Sequence, residues 1–306
     1  MSTFGLIGTV TSDHVIRDEG PPLLGPGGIL YQAAILCGLG ENVRLFANCG
    51  LDQKKEVESL IGHWPTLETA GLRYVPGPGN QVFLRYSERL KERDEVLRSV
   101  VPPLDPGRIL ADVPRLDMLL MVFNSGFDLE FEDWRNIVEK AGRPIWFDVH
   151  SLVLERKLGI HRDYVALPDW REWMRGITFL QANRQELACL LGHPGYWPEE
   201  KEITSFASDA FRLGIQAVFV TMGGDGILVS APKDSRLIRA PKAESVVDTT
   251  GCGDVFCAKT AQCLVRGIPL FEAAEAGAAL ASRAAGSAGV GATYALALGF
   301  DRGSRI

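Results

Sequence analysis

The chain has 306 residues, of which 46% are hydrophobic and 23% charged, and its formal net charge is -6. That is the balance of a globular protein able to bury a large core without cross-links, and the absence of any basic run excludes a nucleic-acid partner. Apolar runs stop well short of a membrane span, the six cysteines are scattered without a CxxC pair, and the five histidines lack zinc-ligand spacing.

The start, MSTFGLIGTV, has neither the basic flank nor the long apolar stretch of a secretory leader. With the unpaired cysteines this points to a reduced, cytoplasmic setting. Residues 4–10 read as a buried first strand. Residues 13–26 are polar, then rich in Pro and Gly, and read as a strand or loop that reaches out and returns. Gly27-Gly28 opens a helical pattern over 29–39, which Gly38 and Gly40 stop. Residues 43–47 form a second buried strand, and 53–70 read as a helix. Over 80–100, Val82, Leu84 and Tyr86 alternate with polar residues and charges follow densely, as in exposed antiparallel strands. Four further apolar runs follow, at 116–123, 145–147, 177–181 and 217–222. Between them lie the helical stretches 131–141, 184–192 and 202–213. From Val255 onward the pattern is helical and rich in alanine. Strands alternating with helices imply one α/β domain over 1–306, with a mostly parallel sheet covered on both faces.

In such a sheet, ligands gather at the carboxyl ends of the strands. Gly8-Thr9, Asn48-Cys49-Gly50, Asn124-Ser125-Gly126, Asp148, Asn183 and Thr221 to Gly226 fall there. The most informative string is D-T-T-G-C-G-D at 248–254, directly before a helical run. Gly251 and Gly253 let the backbone approach a ligand closely. The unpaired N–H groups of a helix start attract negative charge. An aspartate at that place binds no anion. Asp254 is either a favourable N-terminal charge or a base that takes the proton of a hydroxyl attacking a phosphoryl group.

The whole string resembles the C-terminal signature DTxGAGD of the ribokinase/PfkB sugar-kinase family. Four other segments resemble family motifs in the expected order. Gly27-Gly-Ile-Leu-Tyr-Gln-Ala33 is similar to GGxxxNxA, and Asn48-Cys-Gly-Leu-Asp52 to GxxGxD. Asn183-Arg-Gln-Glu186 is similar to NxxE, and Thr221-Met-Gly-Gly-Asp-Gly226 to TxGxxG. The resemblance implies a ribokinase-like three-layer fold with a central, mostly parallel sheet. It also implies a small β lid built from about 13–26 and 80–100. By the same resemblance Asp254 is the catalytic base, and Gly251, Cys252 and Gly253 form a backbone anion hole. Thr221, Gly223, Gly226 and Asn183 hold the nucleotide, and Asp13, Gly27, Gly28 and Gln32 hold the acceptor. Glu186 acts on Mg2+ through water, which suits a hard cation that keeps several waters. Asp248 and Thr250 would border a K+ site. A lid would exclude water from the transferring group and could join two chains in a homodimer.

The implied function is an ATP-dependent kinase acting on a hydroxyl of a sugar, nucleoside or cyclitol. The alternative is a non-catalytic, metabolite-sensing protein on the same fold. A dinucleotide-dependent oxidoreductase would need GxGxxG after the first strand, which Gly8-Thr-Val-Thr does not supply. Three departures bear on the acceptor and on one thiol. Gln32 replaces the family Asn, so its amide reaches further. Asp148-Val-His150 stands where DxN followed by Arg is common, which argues against ribose, fructose or a sugar phosphate; Arg85, Arg89 and Lys91 could supply the basic cluster that a sugar phosphate needs. His150 is either a substrate-facing or a packed structural histidine. Cys252 replaces Ala; its helix-start position would activate the thiol, whereas burial would leave it inert.

Overall fold

A computed structural model of the chain describes residues 1–18, 21–86, 94–243 and 245–303, with side chains described up to residue 300. Strand β1 (Thr3–Ile7) leads to β2 (Val10–Arg17), β3 (Leu23–Gly28), α1 (Leu30–Gly38) and β4 (Asn42–Gly50). A short α2 (Lys54–Ile61) precedes β5 (Leu67–Glu68), β6 (Leu72–Val75), β7 (Asn80–Tyr86) and β8 (Asp94–Leu97). Alternation follows: α3 (Pro106–Asp112), β9 (Met118–Val122), α4 (Phe131–Ala141), β10 (Ile145–Asp148), α5 (Trp170–Met174) and β11 (Phe179–Asn183). Then come α6 (Arg184–Leu190), α7 (Glu200–Phe211), β12 (Ala217–Thr221), β13 (Ile227–Ala231) and β14 (Asp234–Ile238). Three helices, α8 (Cys252–Val265), α9 (Leu270–Ala284) and α10 (Val290–Gly303), complete the chain.

The large sheet runs β14-β13-β12-β11-β10-β9-β1-β4-β5, with β6 also paired to β4. It is parallel from β12 to β5, and antiparallel only where β13 and β14 turn back. The continuous apolar runs arise because both faces are covered. Met118, Leu120 and Val122 point into the core with α1, α8, α9 and α10, while Leu119 and Met121 point into the core with α4, α5 and α7. The result is three layers, helix–sheet–helix.

The helix expected over 53–70 ends at Ile61. Gly62 caps it, and Pro65, whose ring cannot continue a helix, turns the chain into β5.

A second sheet, ordered β3-β2-β7-β8, stands apart from the first. Its outer pairs are antiparallel, as 80–100 suggested, but β2 and β7 pair in parallel, so the sheet is mixed. It has its own small core of Val15, Val82, Leu84 and Leu97. The far edge, β8, is tied to the large domain. Arg162, fully buried, donates to Glu95 Oε1 (3.0 Å) and to the carbonyls of Ser125 and Glu155. No helix among the described residues is long and apolar enough to cross a membrane.

Candidate active site

The parallel strands end in Asp148, Asn183 and Thr221, side by side on β10, β11 and β12. The loop 248–251 delivers α8 to the same edge. Gly251 turns the chain at φ +80 immediately before the helix. A Cβ there would lie 2.5 Å from the Tyr31 ring, so only glycine lets the loop lie flat on α1. The Cys252 amide donates back to the Thr249 carbonyl (3.2 Å), and the helix ladder starts with the Val255 amide on the Gly251 carbonyl (2.9 Å), so the Gly253 and Asp254 amides are first-turn N–H groups with no partner within the helix.

Asp254 sits in that first turn. Its carboxyl is buried, and Oδ1 has no hydrogen-bond partner. Burial, and then the negative charge of Asp13, push its pKa up to about 7 from the usual carboxylate value, against an opposing pull from the Gln32 amide. Gln32, wholly buried on α1, lies beside it but outside hydrogen-bond geometry: both of its amide atoms are without a partner. Of these unsatisfied buried groups, which are rare in proteins, Asp254 is the one that borders a cavity.

Asp13 enters from β2, where Thr11 Oγ1 donates to its Oδ1 (2.6 Å). Gly27, paired with Thr11 across the turn, lies against the Asp13 side chain; any side chain at 27 would overlap the Asp13 carboxyl, and one at Gly28 (φ +62) would meet the Thr9 carbonyl. The Gly-Gly pair therefore exists to let two strands pass a carboxylate at close range.

Two cavities meet here. One, of about 380 Å³, is lined by Asn183, Arg184, Glu186, Thr221, Gly223 and Asp148 among others. The other, about 50 Å³, lies between Asp13, Gly28, Tyr31, Glu95 and Asn124. They share His150, Thr250, Gly251 and Asp254, so Asp254 stands at the junction. Gly27, Gln32, Gly226, Asp248 and Cys252 line neither. Gly226 (φ +106) answers to its turn instead, since a Cβ would strike the Ile238 carbonyl.

Asn183 and Glu186 form a reciprocal cap on α6. Asn183 N donates to Glu186 Oε2 (2.8 Å), and Glu186 N donates to Asn183 Oδ1 (2.8 Å). Glu186 is buried rather than a solvated helix charge. Asp148 has its pKa raised well above the ordinary range, by burial and then by the charges of Glu186 and Asp254. Gln181 Nε2 holds Asp148 Oδ2 (2.8 Å) and the Gly253 carbonyl (3.2 Å), which links β10 to the start of α8.

Among the described residues no three His, Cys, Asp or Glu side chains group tightly enough to cage a metal. Separate carboxylates around one cavity do fit a hydrated Mg2+ that arrives with phosphates and keeps its waters. Asp248 and Thr250 fit potassium poorly. Asp248 Oδ1 already takes Arg17 Nη2 (2.6 Å) and the Thr250 amide (2.9 Å), so a guanidinium meets its charge.

Burial, with Asp248 and Asp254 next, pushes the Cys252 thiol up to about 12, so of its two readings the inert one holds. Arg85 points to the exposed side of β7, opposite to Val82 and Leu84, while Arg89 and Lys91 lie outside the described residues. His150 is the one non-glycine described residue at positive φ (+39), a costly conformation held beside both cavities. Arg17, Arg184, Gln181 and Glu95 reach the site without any local motif; only the position of Arg184, inside Asn183-Arg-Gln-Glu186, offered a signal.

Residues 150–295 match the family model described as pfkB family carbohydrate kinase. The chain is 32% identical over 176 residues to a ribokinase of Arabidopsis thaliana, covering 54% of this chain and 42% of that protein. It is 24% identical over 279 residues to a cytidine kinase of Thermococcus kodakarensis, covering 89% and 92%. The chain spans about half the length of most of the curated relatives it matches. In solved structures it resembles Arabidopsis thaliana ribokinase complexed with ribose and ATP, at TM-score 0.77 and 19% identity over 98% of this chain and 99% of that one, which establishes a ribokinase-like fold.

Proposed function

The chain belongs to the pfkB family of carbohydrate kinases, and on that premise we propose that it transfers the γ-phosphoryl group of ATP to a hydroxyl of a small, uncharged polyhydroxylated acceptor. The observation that carries this reading is Asp254: a buried carboxyl, open at Oδ1, beside the first amides of α8 and at the meeting point of a larger and a smaller cavity.

In the reaction the acceptor hydroxyl lies in the smaller cavity, within reach of Asp254 Oδ1. As its oxygen bonds to the γ-phosphorus, its proton passes to Asp254 and the bond from phosphorus to the β,γ-bridging oxygen breaks. The N–H groups of Gly251 and Gly253 face the phosphoryl oxygens and stabilise the charge that develops there, and that of Cys252 joins them on release from the Thr249 carbonyl. Glu186 and Asp148 would hold Mg2+ through its waters, and the ion would supply further positive charge to the phosphate chain. Thr221, Gly223 and Asn183 line the donor cavity. Asp13 orients the acceptor, with Gly27 and Gly28 allowing its approach, while Gln32, which lines neither cavity, acts on the base Asp254. Potassium has no part in the proposal. The small sheet acts as a lid, and its outer strand β3, with Leu24 68% exposed, is the edge along which two copies would pair. The setting is cytoplasmic.

The charge of the acceptor follows from the lining. Asp13 and Asp254 border the smaller cavity, with Glu95 beside them paired to Arg162, and among the described residues no Lys or Arg lines it. A phosphorylated acceptor would meet like charge there. Sugars, nucleosides and cyclitols without phosphate fit.

The test is an ADP-release screen with ATP and magnesium against pentoses, hexoses, nucleosides, inositols and their monophosphates. Turnover with a neutral acceptor, lost in Asp254→Asn, is the expected result. Nucleotide binding with no turnover across the panel would instead make the chain a metabolite sensor, and turnover confined to sugar phosphates would overturn the acceptor class.

A further inference from the structure

The walls of the larger cavity carry the carboxylates Asp148, Glu186 and Asp254, yet the donor proposed for it brings several negative charges of its own. The amides of residues 251–253 serve the group being transferred. They leave the rest of the phosphate chain without a protein cation. Among the described residues the lining contains one Lys or Arg side chain, Arg184.

Arg184 is held in a distinctive way. It follows Asn183, so it starts from the end of β11, and it leans toward the turn after β12, where Asp225 Oδ2 lies 3.7 Å from its Nη1. Its guanidinium carbon sits 5.2 Å from the centre of the Trp197 ring. The side chain is only 16% exposed, and its Nε is buried with no hydrogen-bond partner. Asp225 is 73% exposed, so that long ion pair is worth little and is readily exchanged. A planar, always-charged fork, backed by an aromatic face and short of one acceptor, is the arrangement that takes a phosphate oxygen in two-point fashion.

We propose that Arg184 binds the non-transferred phosphates of the donor and that Trp197 is the platform that keeps its guanidinium planar to the cavity. This deepens the kinase reading and rests on it. The preference that follows is for the polyphosphate part of the donor rather than for its base.

Isothermal titration of the wild type, Arg184→Met, Arg184→Lys and Asp225→Asn with Mg–ATP, magnesium tripolyphosphate and adenosine tests it. Arg184→Met is expected to weaken ATP and tripolyphosphate by tenfold or more and to leave adenosine unchanged. Arg184→Lys should recover part of the loss, because charge returns without the fork. Asp225→Asn should bind ATP as tightly as the wild type or more tightly, because it frees the guanidinium. In turnover, the Arg184 variants should raise the KM for ATP and leave that for the acceptor. Three results would each overturn the inference: ATP affinity in Arg184→Met within twofold of the wild type, adenosine weakened as much as ATP, or the same loss in Asp225→Asn, which would make the residue a structural support. A wild type that binds neither ATP nor tripolyphosphate would instead bring down the kinase reading itself, and Arg184 with it.

Discussion

Arg17 Nη2 lies 2.6 Å from Asp248 Oδ1, joining the second strand of the small sheet to the loop that delivers α8. The carboxylate is almost fully buried and also accepts the Thr250 amide, so the guanidinium sets both the charge and the shape of that loop. Beside it, the Tyr86 and Thr250 hydroxyls stand 3.5 Å apart, a second contact from the same sheet. The small sheet and the loop before α8 are therefore joined at two points.

Replacing potassium by sodium or choline should leave the rate unchanged, because Asp248 already has its cation. Arg17→Met should lower kcat by about tenfold or more, since a buried carboxylate that loses its ion-pair partner strains the loop it shapes. Initial rates in matched chloride salts check both. A wild type that needs potassium would show that the loop rearranges to admit it.

Asp254→Asn should reduce kcat by about three orders of magnitude, the middle of the range for a positioned base, while ATP still binds. It should also stabilise the fold. The native pKa of about 7 is raised above the ordinary carboxylate value, so the native state holds this proton more tightly than the unfolded chain. Ionising the wild type therefore loses stability as pH rises from about 4 to 7. The Asn variant escapes that loss, and its advantage should grow over this window and level off above it, reaching up to about 4 kcal/mol. Denaturant unfolding at pH 5 and pH 8 measures it.

The pH dependence of kcat/KM should show a rising limb near pH 7, where Asp254 loses its proton. Two neighbours should move the limb in opposite directions. Asp13→Asn removes a negative charge that raises the pKa, so the limb moves to lower pH. Gln32→Leu removes the amide that lowers it, so the limb moves up. Reading the position of the limb, rather than its height, separates these shifts from weaker acceptor binding.

Gly251→Ala and Cys252→Ala should differ sharply although they are adjacent. Alanine at 251 must adopt φ near +80 and push against the Tyr31 ring at 2.5 Å, at a cost of about 2–4 kcal/mol and most of the activity. Alanine at 252 removes a thiol held well above neutral pH by burial, and should leave activity within about twofold of the wild type. The wild-type thiol should resist alkylation at pH 8. Thermal melts, rates and mass spectrometry of alkylated protein decide each point.

What the sequence determined by itself is what short-range geometry encodes. The Gly-x-Gly before a helix and the apolar runs of strands covered on both faces were legible, because each depends on residues within one turn or one strand. Where local pattern misled, an unweighted local breaker explains it: Gly62 and Pro65 ended the helix expected to reach residue 70. Tertiary structure alone decided the charges. Arg17 meets Asp248 across 231 residues, and burial against α1 together with Asp13 brings Asp254 to a pKa near neutrality. Arg184 gains its role from Trp197 and the turn after β12. Electrostatic environment is set by what the folded chain brings within a few ångströms and removes from water, and sequence spacing carries no record of that distance.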